Sequence, residues 1–310
     1  MISQPHREIA HSRQDDPNYL ANSFSEARNQ TLFVAQVITP SWPDWLGQAL
    51  APPFAPLAPL LEQLPKDRWP DPRDWTNLST QLKLHNTLHC PLTFIPASTE
   101  KLPALAFEQR IFDHGEVETR AENWHDAFHA LAWQLFPSTK ARINARHVAD
   151  GTAQAPNGRS PLRNLLTLFD ESGIVIASAD PLLTDLLRRF QWHGLFWTHR
   201  AAVQRAMDFV IFGHALYEQA HHLFDGVTGK GVVVPVPPEY FAWEVAQRLL
   251  FLDTAVEKFF AAATTDTGPH ALQPLPLKGI PGWAAENETE AYYRDERQFR
   301  PGRTRQAPAA

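Results

Sequence analysis

The stretch NWHDAFHALAWQLF, residues 123–136, constrains the fold more than any other part of this chain. At 100° per residue, four large apolar side chains fall on one side of a helix: Trp124, Phe128, Leu131 and Leu135. Pro137 predicts the end of that helix, because the residue before a proline avoids helical backbone angles. Other parts of the chain must cover this stripe, and a hydrophobic content of 44% is typical of a chain with a buried core.

His125 and His129 lie one turn apart on the flank of the same helix. Two histidines at this spacing can reach one metal ion, as in the HExxH motif, but Asp126 replaces the glutamate of that motif and is one methylene shorter. The alternative is structural. Asn123 is a good N-cap, and Asp126 then lies at the third helical position, where a carboxylate favours the helix N-terminus.

Two more polar groups accompany predicted strands. LLTLFDESGIVIAS is predicted to form a β-hairpin over residues 165–178, with Asp170 and Glu171 in its turn. Adjacent carboxylates at a strand end suit a metal ion or a general base, although turn chemistry also explains Asp170. His214 begins a helix directly after the short strand DFVIF, and the alternative for it is a place on a solvated helix face.

Arg120 and Lys140 lie near these groups in the sequence and are candidates for binding an anionic substrate or a developing oxyanion. Arg163 and Arg200 are candidates of the same kind. Each cation could instead pair with one of the 34 acidic residues.

Composition argues against several classes of protein. A net charge of −6 with scattered Lys and Arg does not indicate a nucleic-acid partner. Cys90 is the only cysteine, which excludes an intramolecular disulfide and fits a reducing compartment. The longest uncharged apolar run, residues 49–61, contains four prolines in 13 residues and is too short to span a bilayer. The N-terminus does not resemble a secretory signal, so a cytoplasmic protein is expected.

The predicted fold class is α+β, mainly helical with a small sheet. Its strands are predicted in the hairpin over 165–178 and near 208–212 and 231–236. One globular domain is predicted over residues 31–301, with a Pro/Trp-rich N-terminal wrap over 31–103 and a core over 104–301. Residues 1–30 are predicted to be a flexible leader, and residues 302–310 a disordered tail.

Several blocks of sequence, in order along the chain, resemble the bacterial family known as domain of unknown function 3025 (DUF3025). They are Arg120 with His125-Asp126, LAWQLFPSTK from Leu131, PLRNLLTLFDESG from Pro161, FGHAL from Phe212, GIPGW from Gly279, and YYRDERQFRP from Tyr292. The resemblance covers roughly Trp69 to Pro301 and implies no activity. At the position of His129 the family usually has Asn, so this sequence departs from the pattern there.

Two functions are consistent with these residues. The first is a metal-assisted hydrolase that acts on a phosphoester or amide in a small anionic molecule. It assigns a divalent ion to His125, His129, Asp170, Glu171 and His214, and catalytic roles to His125, Asp126, Arg120 and Lys140. The second is a non-catalytic binding or interaction protein, in which the same residues are caps, turns and buried hydrogen-bond partners. The two functions differ in whether these side chains converge in space.

Overall fold

A computed structural model describes residues 40–47, 51–99, 103–152 and 160–302. The predicted leader over residues 1–30, and the predicted tail apart from Gly302, lie outside these ranges. Residues Ser41–Ala310 group into one compact unit. Among the described helices, none combines the length and the apolar character needed to cross a membrane.

The described part of the chain is mainly helical, as the sequence predicts. Its α-helices are, in chain order, α1 (Trp42–Leu46), α2 (Ala58–Leu61), α3 (Pro72–Gln81), α4 (Ala104–His114), α5 (Trp124–Leu135), α6 (Pro137–Thr152), α7 (Pro161–Ser172), α8 (Pro181–Arg188), α9 (Arg200–Ala206), α10 (His214–Ala220) and α11 (Val245–Ala262). Short turns connect them: 3-10 turns at Ala55–Leu57, Pro238–Ala242, Pro269–Ala271, Leu277–Gly279, Ala285–Glu288 and Glu290–Arg294, and a π-helical turn at Gly194–Thr198.

Two small sheets complete the α+β fold. The strands are β1 (Thr93–Pro96), β2 (Glu116–Thr119), β3 (Gly173–Ser178), β4 (Met207–Ile211), β5 (Thr228–Pro235) and β6 (Gln273–Pro276). β1 and β2 pair in parallel, and the larger sheet has the order β4-β3-β5-β6. β3 runs antiparallel to β4 and parallel to β5, and all six of its residues are buried. The strands expected near 208–212 and 231–236 are confirmed as β4 and β5.

The predicted hairpin over 165–178 is wrong in its first half, because residues 161–172 form helix α7. The apolar residues there repeat at helical spacing and are buried: Leu162, Leu165, Leu166 and Phe169. Ser160 caps the helix by accepting a hydrogen bond from the Arg163 N–H at 2.9 Å. At Gly173 the backbone turns extended, so the helix passes directly into β3. Asp170 and Glu171 therefore lie in the last turn of a helix and not in a hairpin turn.

Helix α5 lies in the core and is buried on almost every side. The predicted stripe is confirmed, since Phe128 and Leu131 are fully buried and Trp124 and Leu135 are 6% exposed. The other faces carry further buried residues: Ala127, Ala130, Ala132, Trp133 and Gln134. The positions of α5 that remain partly open are His125, Asp126 and His129. Its polar side chains therefore share the one face that neighbouring elements do not cover.

The Pro/Trp-rich segment covers the N-terminal end of α5. Trp42, Trp45 and Trp75 are at most 1% exposed. The ring of Trp124 lies 5.7 Å from that of Trp42, in a stacked arrangement, and 4.7 Å from that of Trp69. Large aromatic rings provide this cover without long regular elements.

Candidate functional site

The open face of α5 forms one wall of a pocket with a volume of about 640 Å³. Its lining comes from elements far apart in the sequence: Ala97, Ser98, Thr99, Ala104, Phe107, Glu108, Glu118, Arg120, His125, Asp126, His129, Asp170, Glu171 and His214. The pocket therefore contains the predicted site residues of α5, α7 and α10. Arg120 also lines the pocket, and Lys140 lies behind Asp170, with its Nζ atom 2.6 Å from Asp170 Oδ1.

Asp126 has the structural role that the capping interpretation predicts. The N–H of Asp126 donates to the Asn123 side chain at 3.1 Å, which caps α5. The Asp126 carboxylate accepts three hydrogen bonds from Arg120, one from the backbone N–H at 2.7 Å and two from the guanidinium at 2.9 and 2.6 Å. Asp126 lines the pocket while its oxygens are occupied by Arg120.

Close backbone packing brings His214 beside the two acids of α7. A Cβ on Gly213 would lie only 2.4 Å from the Glu171 carbonyl oxygen and 2.5 Å from the Gly173 nitrogen. The Gly213 N–H donates to the Gly173 carbonyl at 2.9 Å. Only glycine permits this approach. As a result, His214, the first residue of α10, lies directly against the end of α7.

The three imidazole rings of the pocket are in contact. The His214 ring centroid lies 4.3 Å from that of His125 and 5.0 Å from that of His129. His214 is 4% exposed, so its interpretation as part of a solvated helix face is wrong. The helical spacing of His125 and His129 thus places both rings against a third histidine that is 85 residues or more away in the sequence.

These rings and carboxylates form two sets of three groups with metal-ligand geometry. His125, Glu171 and His214 make one set, and His129, Asp170 and His214 make the other. Within each set, one ligand atom from each residue lies within 4.8 Å of the other two. Each of the five predicted ligands therefore belongs to at least one group of three that could hold a metal ion.

Carboxylates lie at the ring nitrogens of two of these histidines. The Nδ1 atom of His125 is 3.4 Å from Glu218. In His214, Nε2 is 3.4 Å from Glu171 and Nδ1 is 3.7 Å from Asp170. A carboxylate that accepts a proton from one nitrogen fixes the tautomer and leaves the other nitrogen free to bind a ligand.

The charge of Lys140 affects the pKa values of Asp170, His129 and His214, which form the inner half of the pocket. Its Nζ atom lies 2.6 Å from Asp170 Oδ1, and its side chain is only 3% exposed. Burial alone would raise the pKa of Asp170, but the charge of Lys140, with the neighbouring imidazoles, holds that pKa below its usual range. Burial lowers the pKa of His214 to about 3, and Lys140 adds to this effect. Burial and Lys140 also lower the pKa of His129, so both rings are neutral at pH 7.

On the outer side of the pocket, at His125 and Glu171, the pKa values shift upward. A hydrogen bond to Glu218 raises the pKa of His125 and lowers that of Glu218. Burial, followed by the charge of Asp170, raises the pKa of Glu171. The pKa values of His125 and Glu171 are therefore both raised, whereas those of His129, Asp170 and His214 are lowered.

Glu108 is a pocket residue that the sequence interpretation missed. Burial and the charge of Asp170 raise the pKa of Glu108 to about 7. The Asn144 side chain fixes its position by donating to the Glu108 carboxylate at 2.7 Å and to its backbone carbonyl at 2.8 Å. Nothing in the local sequence of α4 distinguishes Glu108.

The four candidate cations are all paired. Arg120 pairs with Asp126, and Lys140 pairs with Asp170. Away from the pocket lining, Arg163 lies 3.2 Å from Asp150, and Arg200 pairs with Glu288. Of the four, Arg120 lines the pocket and keeps 56% of its side chain exposed.

Comparison with known proteins identifies a family. The family model described as "Protein of unknown function (DUF3025)" matches residues 92–303. This range is more than half of the chain and includes every residue that lines the pocket. No curated protein and no solved structure matches the chain significantly.

Proposed function

The chain belongs to the DUF3025 family, and from its own geometry we propose that it is a metal-dependent hydrolase acting on a small molecule with an anionic group. The observation that carries this proposal is the convergence of His125, Glu171 and His214, whose ligand atoms lie within 4.8 Å of one another in a pocket. Two histidines and one carboxylate are a ligand set of catalytic zinc, with a position left for water or substrate.

The residues of the pocket have different roles in such a reaction. A divalent ion would supply the nucleophile by lowering the pKa of a bound water to about 7. Glu218 orients His125, and Asp170 orients His214. Glu108 is the general base in this proposal, because a carboxyl with a pKa of about 7 can both accept and return a proton at neutral pH.

The predicted roles of the two cations differ once their contacts are known. Arg120 lies at the exposed side of the pocket, so we assign the anionic group of the substrate or the oxyanion to it. Lys140 is buried behind Asp170, which makes it a positioning residue in this proposal. Cys90 is a free thiol, in keeping with a proposed location in a reducing cytoplasm.

The alternative is a non-catalytic protein in which these groups only hold the fold. The Asn123 cap and the three bonds from Arg120 to Asp126 favour it, because they explain Asp126 without any chemistry. They do not explain Glu171 or His214. The alternative predicts that the pocket binds no metal ion with useful affinity.

Metal analysis of protein purified without chelator tests the proposal. We expect one equivalent of a divalent ion, or a Zn²⁺ or Mn²⁺ affinity measurable by calorimetry, and a loss of about 100-fold in that affinity in His214→Asn. Arg163→Gln is the control, because Arg163 pairs with Asp150 outside the pocket. Absence of metal binding in the parent protein, or equal binding by His214→Asn, would contradict the proposal.

A hydrolase assay then tests the reaction. Phosphate and carboxylate esters and amides with a coloured leaving group are the probes, and hydrolysis should stop on chelation and return with added metal. Glu108→Gln should slow hydrolysis by about 100-fold or more while it leaves metal affinity unchanged. Hydrolysis that survives both chelation and loss of His214 would exclude a metal-dependent mechanism.

A further inference from the structure

The imidazole of His214 lies between two pairs of ligand groups. Its Nε2 atom faces Glu171 at 3.4 Å, and its Nδ1 atom faces Asp170 at 3.7 Å. His125 completes the set that contains Glu171, and His129 completes the set that contains Asp170. Two overlapping metal sites are therefore available, and both depend on His214.

A neutral imidazole can serve only one of these sets at a time. One ring nitrogen carries the proton, and the other offers the single lone pair that a metal ion can use. Which nitrogen of His214 is protonated therefore decides where an ion binds. That choice depends on which of the two carboxylates is free to bind a cation and which accepts the imidazole proton.

The two carboxylates differ in this respect. Asp170 already faces a cation, because Lys140 Nζ lies 2.6 Å from its Oδ1. Lys140 is held in place, since its side chain is 3% exposed and its ammonium lies 5.5 Å above the ring of Trp133. A fixed ammonium at this distance competes for the carboxylate and repels a divalent ion. Glu171 is 42% exposed, and its carboxylate faces the neutral imidazole of His214 at 3.4 Å.

Resting on the proposed function, we infer that Lys140 is a positioning residue that directs the metal ion to His125, Glu171 and His214 by occupying Asp170. The Nδ1 proton of His214 then faces the paired Asp170, 3.7 Å away, which leaves Nε2 for the ion. His129 is not a ligand in this arrangement. Removal of the ammonium would free Asp170 and make the inner set, His129, Asp170 and His214, competitive.

Zn²⁺ titration of matched variants tests this inference. In the parent protein, Glu171→Gln should lower Zn²⁺ affinity by about 100-fold, and His129→Asn by less than about threefold. In a Lys140→Met background the order should reverse, so that His129→Asn becomes the damaging change and Glu171→Gln the mild one. Lys140→Gln provides the same background with a polar side chain if Met is not tolerated, and circular dichroism checks that each variant is folded.

Lys278→Met is the matched control. Lys278 is also a buried lysine paired with carboxylates, but it lies outside the pocket lining, so the pattern of the parent protein should persist in its background. If the Lys140 variants keep the same sensitivity to Glu171→Gln as the parent, or if the parent binds two equivalents of Zn²⁺, the role of Lys140 is overturned while the metal site stands. If the parent binds no Zn²⁺, the proposed function itself is overturned.

Discussion

Lys140 and Lys278 are both buried lysines that face carboxylates, yet their surroundings differ. Lys278 donates to Asp225 at 2.9 Å and to Glu286 at 2.8 Å, and these two acids are 67% and 56% exposed. Lys140 donates to Asp170, which is only 16% exposed. Lys278 thus pairs with two surface acids, whereas Lys140 neutralises a buried acid.

Other buried polar groups lie near each of the two lysines. Near Lys278, the fully buried Asn287 donates to the carbonyls of Lys278 and Ile280, so its amide hydrogens are used. Near Lys140, the buried Nδ1 atom of His214 has no hydrogen-bond partner within the described ranges. Beside Lys278, the buried hydroxyl of Tyr292 likewise has no hydrogen-bond partner in the described part of the chain, so the two regions differ in how deeply their acids are buried and not in whether every polar group is paired.

The largest expected difference between the two regions is in stability. Lys140→Met should lower the free energy of unfolding by about 3 to 5 kcal/mol, because it leaves the Asp170 charge buried and unpaired. Lys278→Met should cost only about 1 kcal/mol, because Asp225 and Glu286 can turn to water. Urea unfolding with chelator present measures both. Equal losses would mean that the two lysines have the same structural role.

The next largest expected effect is a loss of stability when a buried amide near Lys278 is removed. Asn287→Ala should cost about 2 kcal/mol, since two buried carbonyls lose their donor. The matched variant is Asn144→Ala, which also removes two donated bonds. It should cost less, because the Glu108 carboxylate can turn into the pocket. The comparison is made by urea unfolding, and Asn287→Ala should leave Zn²⁺ affinity unchanged.

A smaller effect is expected at the carboxylate that orients His125. Glu218→Gln should weaken Zn²⁺ binding by about tenfold, as removal of an outer carboxylate partner of a histidine ligand does. Glu286→Gln, the equivalent change beside Lys278, is the control and should leave Zn²⁺ affinity unchanged. If both variants bind Zn²⁺ as the parent does, Glu218 does not orient a ligand.

The smallest effect is a pH dependence at Glu108. Its pKa is raised by burial from a usual value of 4.5 to about 7. A carboxyl with a raised pKa stabilises the fold below pH 4.5, and this contribution is lost as the pH rises to about 7. In metal-free protein, Glu108→Gln should therefore gain stability relative to the parent across that range, by about 1 kcal/mol after allowance for solvent screening.

Unfolding at about pH 4.5, 6 and 8 with chelator present measures this change. Glu118→Gln is the control, because the Glu118 carboxylate pairs with Arg110 at 2.6 Å and should show no such gain. A gain that does not depend on pH would mean that Glu108 keeps an ordinary pKa.

Local pattern predicted the parts of the fold that depend on neighbouring residues. The stripe on α5, the strands β4 and β5 and the Asn123 cap all follow from residues within a few positions of one another. The hairpin error has a local cause too. The buried positions from Leu162 to Phe169 have helical spacing, but the run Leu165 to Phe169 read alone resembles a strand.

Residue types and their short-range spacing are enough to predict helix α5 and to show that imidazole and carboxylate groups with ligand chemistry are present. Which of these groups meet depends on tertiary packing. Gly213 allows α10 to begin against the end of α7, which brings His214 to Asp170 and Glu171. Packing also placed Glu108 in the pocket and Lys140 behind Asp170. Contacts between residues dozens of positions apart depend on how helices pack, which no local pattern encodes.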